Sequence, residues 1–267
     1  MPLMHLLLVA LIQGVTEFLP ISSSGHLILL PRLTGLPDQG LVIDVAVHVG
    51  TLAAVILYFR KDVAVVLQGT LRLLRGKVDT AAAFLALCLA VATVPAIVAG
   101  LAIKLTGFDE SLRSIAIIGW TMLGFGIVLY WADMTAPQER MARDWTLRHA
   151  VEMGLWQALA LIPGTSRAGI TITGARVLGY TRHEAARLSM LMAIPTILAS
   201  GAVVAADVAA QADTQAMRDG LIGAVFAFLA ALAALAVMMP LARRISFTPY
   251  VIYRVALGLV LLWIAYA

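Results

Sequence analysis

Long runs without a single charged residue constrain this chain more than any other feature of its sequence. Four such runs, of 19 to 24 residues, lie at 80–103, 114–132, 188–206 and 220–242. A helix needs about 20 apolar residues to cross a bilayer. Two more spans are predicted at 44–59 and at 248–267, where Arg254 lies near one end and is expected to snorkel to the interface. The sequence therefore predicts six spanning helices.

Composition excludes a soluble protein. Hydrophobic residues make up 61% of the chain and charged residues 13%, whereas a soluble domain is about 25% charged. Membrane lipid is therefore the expected surroundings. The net charge of +4 is assigned to cytoplasmic loops, so no nucleic-acid partner is expected. Because Cys88 is the single cysteine, no intrachain disulfide forms.

Two further apolar regions, 1–31 and 146–179, are interrupted near their middle by charged residues and proline. In lipid, a broken backbone must be satisfied by protein or by cavity water. Both regions are therefore predicted to be re-entrant helical hairpins. The alternative for 1–31 is a signal peptide, although it lacks a basic start and a small-residue cleavage site.

Loop charges predict the orientation. Basic residues outnumber acidic ones in four loops, at 60–79, 133–148, 176–187 and 243–244, which are expected in the cytoplasm. The loops 104–113 and 207–219 and both termini are then outside, and the two hairpins enter from opposite sides. Residues 63–74 form either an amphipathic helix on the inner surface or a plain loop.

The two halves of the chain resemble each other weakly. Gln13 and Gln157 are 144 residues apart, and Ser23 and Ser166 are 143 apart. Two Pro/Ser-broken apolar helices can look alike by chance, but the alternating loop charges favour a repeat. The fold class predicted is an all-α integral membrane protein, a single membrane domain over 1–267, built as an inverted-topology repeat of 1–132 and 146–267. Such repeats bring broken-helix tips together near the midplane, where binding sites form.

The two hairpin tips carry the polar residues. An ionised side chain at the bilayer centre costs about 2.5–3.5 kcal/mol, so Glu17 and Arg167 are expected to pair or to line a wet cavity. A purely structural ion pair is the alternative. Hydroxyl groups and glycines surround Glu17 and Arg167. Hydroxyls donate hydrogen bonds to phosphate, and glycines let an anion approach the backbone closely. The alternative is that the serines are ordinary helix N-caps. The surrounding residues are Ser22, Ser23, Ser24, Gly25, Gly164, Thr165, Ser166 and Gly169.

The spacing of the first tip suggests catalysis. Ser23 and His26 are three residues apart, which favours a nucleophile and its base, although an intramembrane histidine is often only a hydrogen-bonding group between helices. Gln13 and Glu17 lie four apart on one helix face. Their oxygens suit a hard divalent cation that bridges to phosphate.

The segments GVTEFLPISSSGH (14–26) and PGTSRAGITITGARVLG (163–179) resemble the two signature motifs of the undecaprenyl-diphosphate phosphatase family, the bacitracin-resistance type. The likeness extends over the whole chain. It implies a membrane enzyme of bacterial cell-wall synthesis that removes the terminal phosphate of undecaprenyl diphosphate. The resemblance also implies a divalent cation, Mg or Ca, and an active site that opens to the outer face of the cytoplasmic (inner) membrane.

The family pattern implies roles for individual residues. Its first motif falls on Gln13, Glu17, Ser23 and His26, and its second on Pro163, Gly164, Ser166, Arg167 and Thr171. We therefore expect catalysis from Glu17, Ser23, His26 and Arg167, and a metal at Glu17 and Gln13. The expected substrate-binding residues are Ser22, Ser24, Gly25, Gly164, Thr165, Ser166 and Thr171. This chain departs from the pattern at Ala168, where serine is common, and Gln13 is the uncharged variant of its position. The second departure weakens a two-carboxylate metal site.

Other classes of protein stay open. Inverted repeats with half-helix tips also describe transporters, here of a lipid phosphate or an anion, and a structural membrane subunit is a third class. The sequence does not decide between attack by Ser23 and attack by a metal-bound water. It also leaves open whether the chain forms a homodimer.

Overall fold

A computed structural model describes residues 1–107, 112, 114–211 and 213–267. Half of the predicted outer loop 104–113 lies outside these described residues. Short 3-10 turns occur at Ala142–Asp144 and Leu159–Leu161. The α-helices of the described residues are α1 (Leu3–Thr16), α2 (Ser23–Thr34), α3 (Leu41–Tyr58), α4 (Arg60–Leu73), α5 (Ala81–Thr106), α6 (Ile115–Thr135), α7 (Leu147–Ala158), α8 (Arg167–Val177), α9 (Arg182–Gln211), α10 (Thr214–Leu241) and α11 (Thr248–Tyr266).

The six predicted spans are confirmed, because α3, α5, α6, α9, α10 and α11 are each long and apolar enough to cross a membrane. Helix α9 differs from the prediction, since it begins at Arg182 and ends only at Gln211. The expected loop 207–219 is therefore mostly helix. Its alanine-rich start contains no glycine or proline to stop the helix. Residues 60–73 form helix α4, so the segment 63–74, for which a helix and a plain loop were the alternatives, is a helix.

Each interrupted apolar region forms two short helices around a break. Helices α1 and α2 flank the first break, and α7 and α8 flank the second. They contain 14, 12, 12 and 11 residues. At 1.5 Å per residue they are about 16–21 Å long, which is shorter than the ~30 Å hydrocarbon core. These lengths suit re-entrant hairpins, whose position in the bilayer stays a prediction.

The helices pack in corresponding pairs through close backbone contacts. Helices α1 and α3 pack on α10, while α7 and α9 pack on α5, and α6 packs along α11. A Cβ atom on Gly14 of α1 would lie 2.6 Å from the Ala227 carbonyl of α10, and one on Gly154 of α7 would lie 2.6 Å from the Ala92 carbonyl of α5. Small residues at such contacts let helix backbones touch, which is how helices associate in membranes.

The outer surface of the bundle is apolar. In each of the six spanning windows less than 40% of the residues are buried inside the protein, and large side chains such as Trp120, Val237 and Trp263 are exposed. An apolar patch of this extent is rare on a soluble monomer. The surface is therefore the one that lipid tails cover. The interior cluster lies around α8 and the first half of α9.

Candidate active site

The two helix breaks meet through an ion pair. Nη2 of Arg167 lies 2.9 Å from Oε1 of Glu17, and these side chains are 13% and 7% exposed. Glu17 follows α1, whereas Arg167 is the first residue of α8, 150 positions away. The structure thus brings together the two charges that the sequence placed at the tips.

The second carboxylate oxygen of Glu17 is the centre of a polar cluster. It accepts hydrogen bonds from the Ser23 hydroxyl at 2.7 Å and from the Gln13 amide nitrogen at 2.9 Å. Nε2 of His48 lies 3.8 Å from the same oxygen. Sequence reasoning missed His48, although a histidine inside an apolar span is itself a signal.

The two tips share an unusual backbone conformation. Among the described residues, only Ser22 and Ser166 have a positive φ without being glycine, with φ of 72° and 68°. Each serine is the N-cap of the following helix, and its hydroxyl accepts the backbone N–H of Gly25 or Gly169. The residue that corresponds to Ser166 is therefore Ser22, at a separation of 144, rather than Ser23. Ser23 corresponds to Arg167, because both begin a helix.

The expected hydrogen bond between Ser23 and His26 is not formed. Nδ1 of His26 lies 2.6 Å from the Ser22 carbonyl oxygen, and its Nε2 lies 2.5 Å from the Tyr253 hydroxyl. The imidazole is also stacked on the Tyr253 ring. A side chain in the first turn of a helix leans back toward the helix start, which places the ring against the N-cap carbonyl. Ser23 instead donates to Glu17.

A cavity of about 890 Å³ opens beside the ion pair. Apolar residues of α3 and of the second half of α9, such as Leu52 and Val204, form much of its wall. A polar end joined to an apolar wall suits an amphiphile with an anionic headgroup and a hydrocarbon chain. The polar end contains Glu17, Ser22, Ser23, Ser24, Asp44, His48, Gln157, Ser166 and Arg167.

Several expected phosphate ligands do not line this cavity, and two of them instead contact neighbouring helices. Gly25, Gly164, Thr165 and Thr171 are absent from its wall. Gly164 has a φ of 87°, and a Cβ atom there would lie 2.7 Å from a carbonyl oxygen of α6. The Thr171 hydroxyl is fully buried and lies 2.6 Å from that of Ser189 in α9. Gly164 and Thr171 are therefore explained by backbone conformation and packing, whereas the buried hydroxyl of Thr165 has no hydrogen-bond partner among the described residues.

Arg254 does not snorkel, so that prediction was wrong. The side chain is 0% exposed and donates hydrogen bonds to backbone carbonyls of both tips. These are Pro20 of the first tip and Gly164 and Thr165 of the second, at 3.4, 3.3 and 2.9 Å. Two carbonyls of α6 are further acceptors. A guanidinium can satisfy so many acceptors because it carries five N–H donors in a rigid plane.

The cluster offers oxygen ligands to a cation. Gln13 is fully buried, and its Oε1 atom has no hydrogen-bond partner among the described residues. Within that part of the chain, no group of three His, Cys, Asp or Glu side chains is arranged to hold a metal. The carboxylate of Glu17, the amide of Gln13 and the hydroxyl of Ser23 therefore fit a hard cation only as part of its shell. Substrate phosphate and water commonly complete such a shell.

Comparison with known proteins identifies the family. A family model described as bacitracin resistance protein BacA matches residues 6–260. A protein of Dinoroseobacter shibae named undecaprenyl-diphosphatase is 70% identical over the full length of both chains. Proteins of the same name from Roseobacter denitrificans and Ruegeria pomeroyi are 67% and 66% identical, also over their full lengths. The chain therefore belongs to the bacitracin resistance protein BacA family.

Proposed function

We propose that this chain is an undecaprenyl-diphosphatase, which hydrolyses undecaprenyl diphosphate to undecaprenyl phosphate and phosphate and so recycles the carrier lipid of cell-wall synthesis. The observation that carries the proposal is the cluster of Glu17, Ser23 and Arg167 at the polar end of an apolar cavity. The full-length relatives that bear this name support it. A transporter would need the cavity and a cation, but not a hydroxyl bonded to a buried carboxylate.

The geometry suggests how the anhydride P–O bond is broken. Glu17 accepts the hydrogen bond of Ser23 at 2.7 Å, so this carboxylate is placed to take the proton of that hydroxyl, or of a water in its place, as oxygen attacks the terminal phosphorus. Nη1 of Arg167 is buried without a partner among the described residues and is available to a phosphate oxygen. Its charge stabilises the negative charge on the transferred group.

The proposal includes a divalent cation, Mg or Ca, with Glu17 and Gln13 as its protein ligands. When bound, it would neutralise phosphate charge and polarise the P–O bonds. His26 acts as a positioning residue, because both ring nitrogens are engaged by the Ser22 carbonyl and by Tyr253. All these side chains come from one chain, so the reaction does not require a homodimer.

The membrane arrangement of the site is also a proposal. On α3 the cavity extends from Asp44 to Leu52, and on α9 from Thr196 to Ala209. The loop charges assign the end of α3 and the start of α9, which lie beyond these residues, to the cytoplasm. The active site then opens to the outer face of the inner membrane. The matched conformations of Ser22 and Ser166 and the corresponding helix pairs support an inverted repeat of 1–132 and 146–267.

Phosphate release by purified protein from a C55 lipid diphosphate in detergent tests the function. Detergent provides no second compartment, so a transporter releases nothing. We expect release that a chelator abolishes and that Glu17→Gln lowers by at least about a hundredfold, the lower range for a general base. Glu139→Gln, an exposed carboxylate outside the cavity, is the matched control. Absence of release by a folded wild-type protein with added Mg or Ca would refute the hydrolase.

A further inference from the structure

A second cavity of about 430 Å³ lies at the other end of the bundle, where α3 meets α4 beside the start of α9 and the end of α10. On α9 it reaches Arg187, nine residues before Thr196, which lines the catalytic cavity. That separation is about 14 Å along the helix. We call this cavity the basic pocket. Its charged residues are Arg60, Lys61, Asp62, Glu184, Arg187 and Arg243.

The two acidic side chains of the basic pocket share one arginine as their ion-pair partner. Arg187 forms ion pairs with both Asp62 and Glu184. Nδ1 of His183 lies 3.2 Å from the other oxygen of Glu184. Together Asp62, Glu184 and Arg187 carry one net negative charge, and the other three basic side chains of the pocket outnumber it, so the formal charge of the pocket is positive.

Three basic side chains of the pocket have no counter-charge. Arg60, Lys61 and Arg243 form no side-chain ion pair or hydrogen bond with any of the described residues. They come from two segments that are distant in the sequence, yet they line one cavity. The first turn of α4, which contains Arg60 and Lys61, adds the positive end of a helix dipole. The uncompensated charge favours an anion.

The remaining wall of the pocket is apolar and lies at the ends of membrane-spanning helices. Tyr58 and Phe59 end α3, and Met239 lies in the last turn of α10. These helices are spans, so the pocket lies at the level of lipid headgroups. Basic pockets between spans at this level are typical sites for anionic lipid.

We propose that the basic pocket binds a phosphate group carried by an anionic phospholipid of the leaflet at this end of the bundle. Arginine and lysine at the rim contact the phosphate oxygens, and the aromatic and methionine side chains contact the start of the acyl chains. Free inorganic phosphate is the other source of the same chemistry. The proposal does not depend on the hydrolase activity, because no residue of the catalytic cluster takes part.

Native mass spectrometry in neutral detergent tests the proposal, with phosphatidylglycerol, phosphatidylcholine and inorganic phosphate as the probes. We expect wild type to retain phosphatidylglycerol in preference to phosphatidylcholine. The double variant Arg60→Gln/Arg243→Gln should bind phosphatidylglycerol about thirty-fold more weakly, from roughly fivefold per basic side chain. The matched control Arg75→Gln/Lys77→Gln removes two exposed charges outside the pocket and should bind as wild type does.

Two results would overturn the lipid site. The first is wild-type affinity for phosphatidylglycerol in the double variant. The second is displacement of phosphatidylglycerol by an equal concentration of inorganic phosphate, which would assign the pocket to the free anion. If the double variant does not fold, Lys61→Gln alone should still weaken binding about fivefold. Phosphate release from the C55 diphosphate in detergent is measured on the same samples and is expected to be unchanged. A failure of that activity in wild type bears on the hydrolase and not on the pocket.

Discussion

Replacing Arg254 with methionine should destabilise the protein more than any change at a surface arginine. The substitution keeps a long apolar stem but removes every donor. The tip carbonyls of Pro20, Gly164 and Thr165 accept no backbone hydrogen bond in the described residues and depend on this guanidinium. A buried group left without a partner costs about 1–3 kcal/mol, so the three carbonyls together cost at least about 3 kcal/mol.

Two other considerations bear on this magnitude. Hydrogen bonds inside membrane proteins average about 0.6 kcal/mol, and five such bonds to Arg254 again give about 3 kcal/mol. Removal of a buried charge recovers some desolvation energy, but the carbonyl dipoles stay in place and lose their partner. The expected net loss of stability is therefore about 3 kcal/mol, or a fall in Tm of roughly 6–12 °C for a chain of this size.

The chain contains its own reporter for the measurement. Cys88 is the single cysteine and is fully buried, so a thiol-reactive dye fluoresces only as the protein unfolds. Arg244→Met, at an exposed position, is the matched control and should leave Tm unchanged. Arg254→Lys keeps the charge but not the planar fork and should fall between the two. A Tm within 2 °C of wild type for Arg254→Met would refute the role of this arginine in holding the tips.

Three further outcomes are expected. Ser23→Ala should lower phosphate release far more than Ser24→Ala, because Ser23 and not Ser24 donates a hydrogen bond to the Glu17 carboxylate. Complete loss of release indicates the nucleophile, whereas a loss of about one to two powers of ten indicates a hydrogen-bond donor. Equal effects of the two substitutions contradict the assignment. Arg167→Lys should fold but lose most of its turnover, because a single ammonium group lacks the two separate nitrogens with which the guanidinium contacts both the carboxylate and the phosphate. Near-normal turnover would show that Arg167 is only the counter-ion of Glu17. In a Cys88→Ser background, Arg75→Cys should be labelled only from the cytoplasmic side, and labelling only from outside would reverse the orientation.

The six spans and the two helix breaks could be predicted from the sequence alone, whereas for Glu17 and Arg167 it left two outcomes open, an ion pair or a wet cavity. Each follows from a local rule, because lipid tolerates neither a charge nor an unpaired backbone group at any position along the chain. A run such as 220–242 must therefore be helical wherever it packs. A charge at a break must find a partner or water, and the structure places both Arg167 and His48 beside Glu17.

Which polar groups meet within these limits depends on how the helices pack in three dimensions. Ser22 rather than Ser23 became the N-cap, and His26 turned to Tyr253, 227 residues away. Arg254, which from the sequence alone could have reached the interface, crosses 234 positions to Pro20. A buried donor forms hydrogen bonds with the acceptors that packing places around it. The spacing of residues along the chain carries no information about which distant segments of the chain packing brings together.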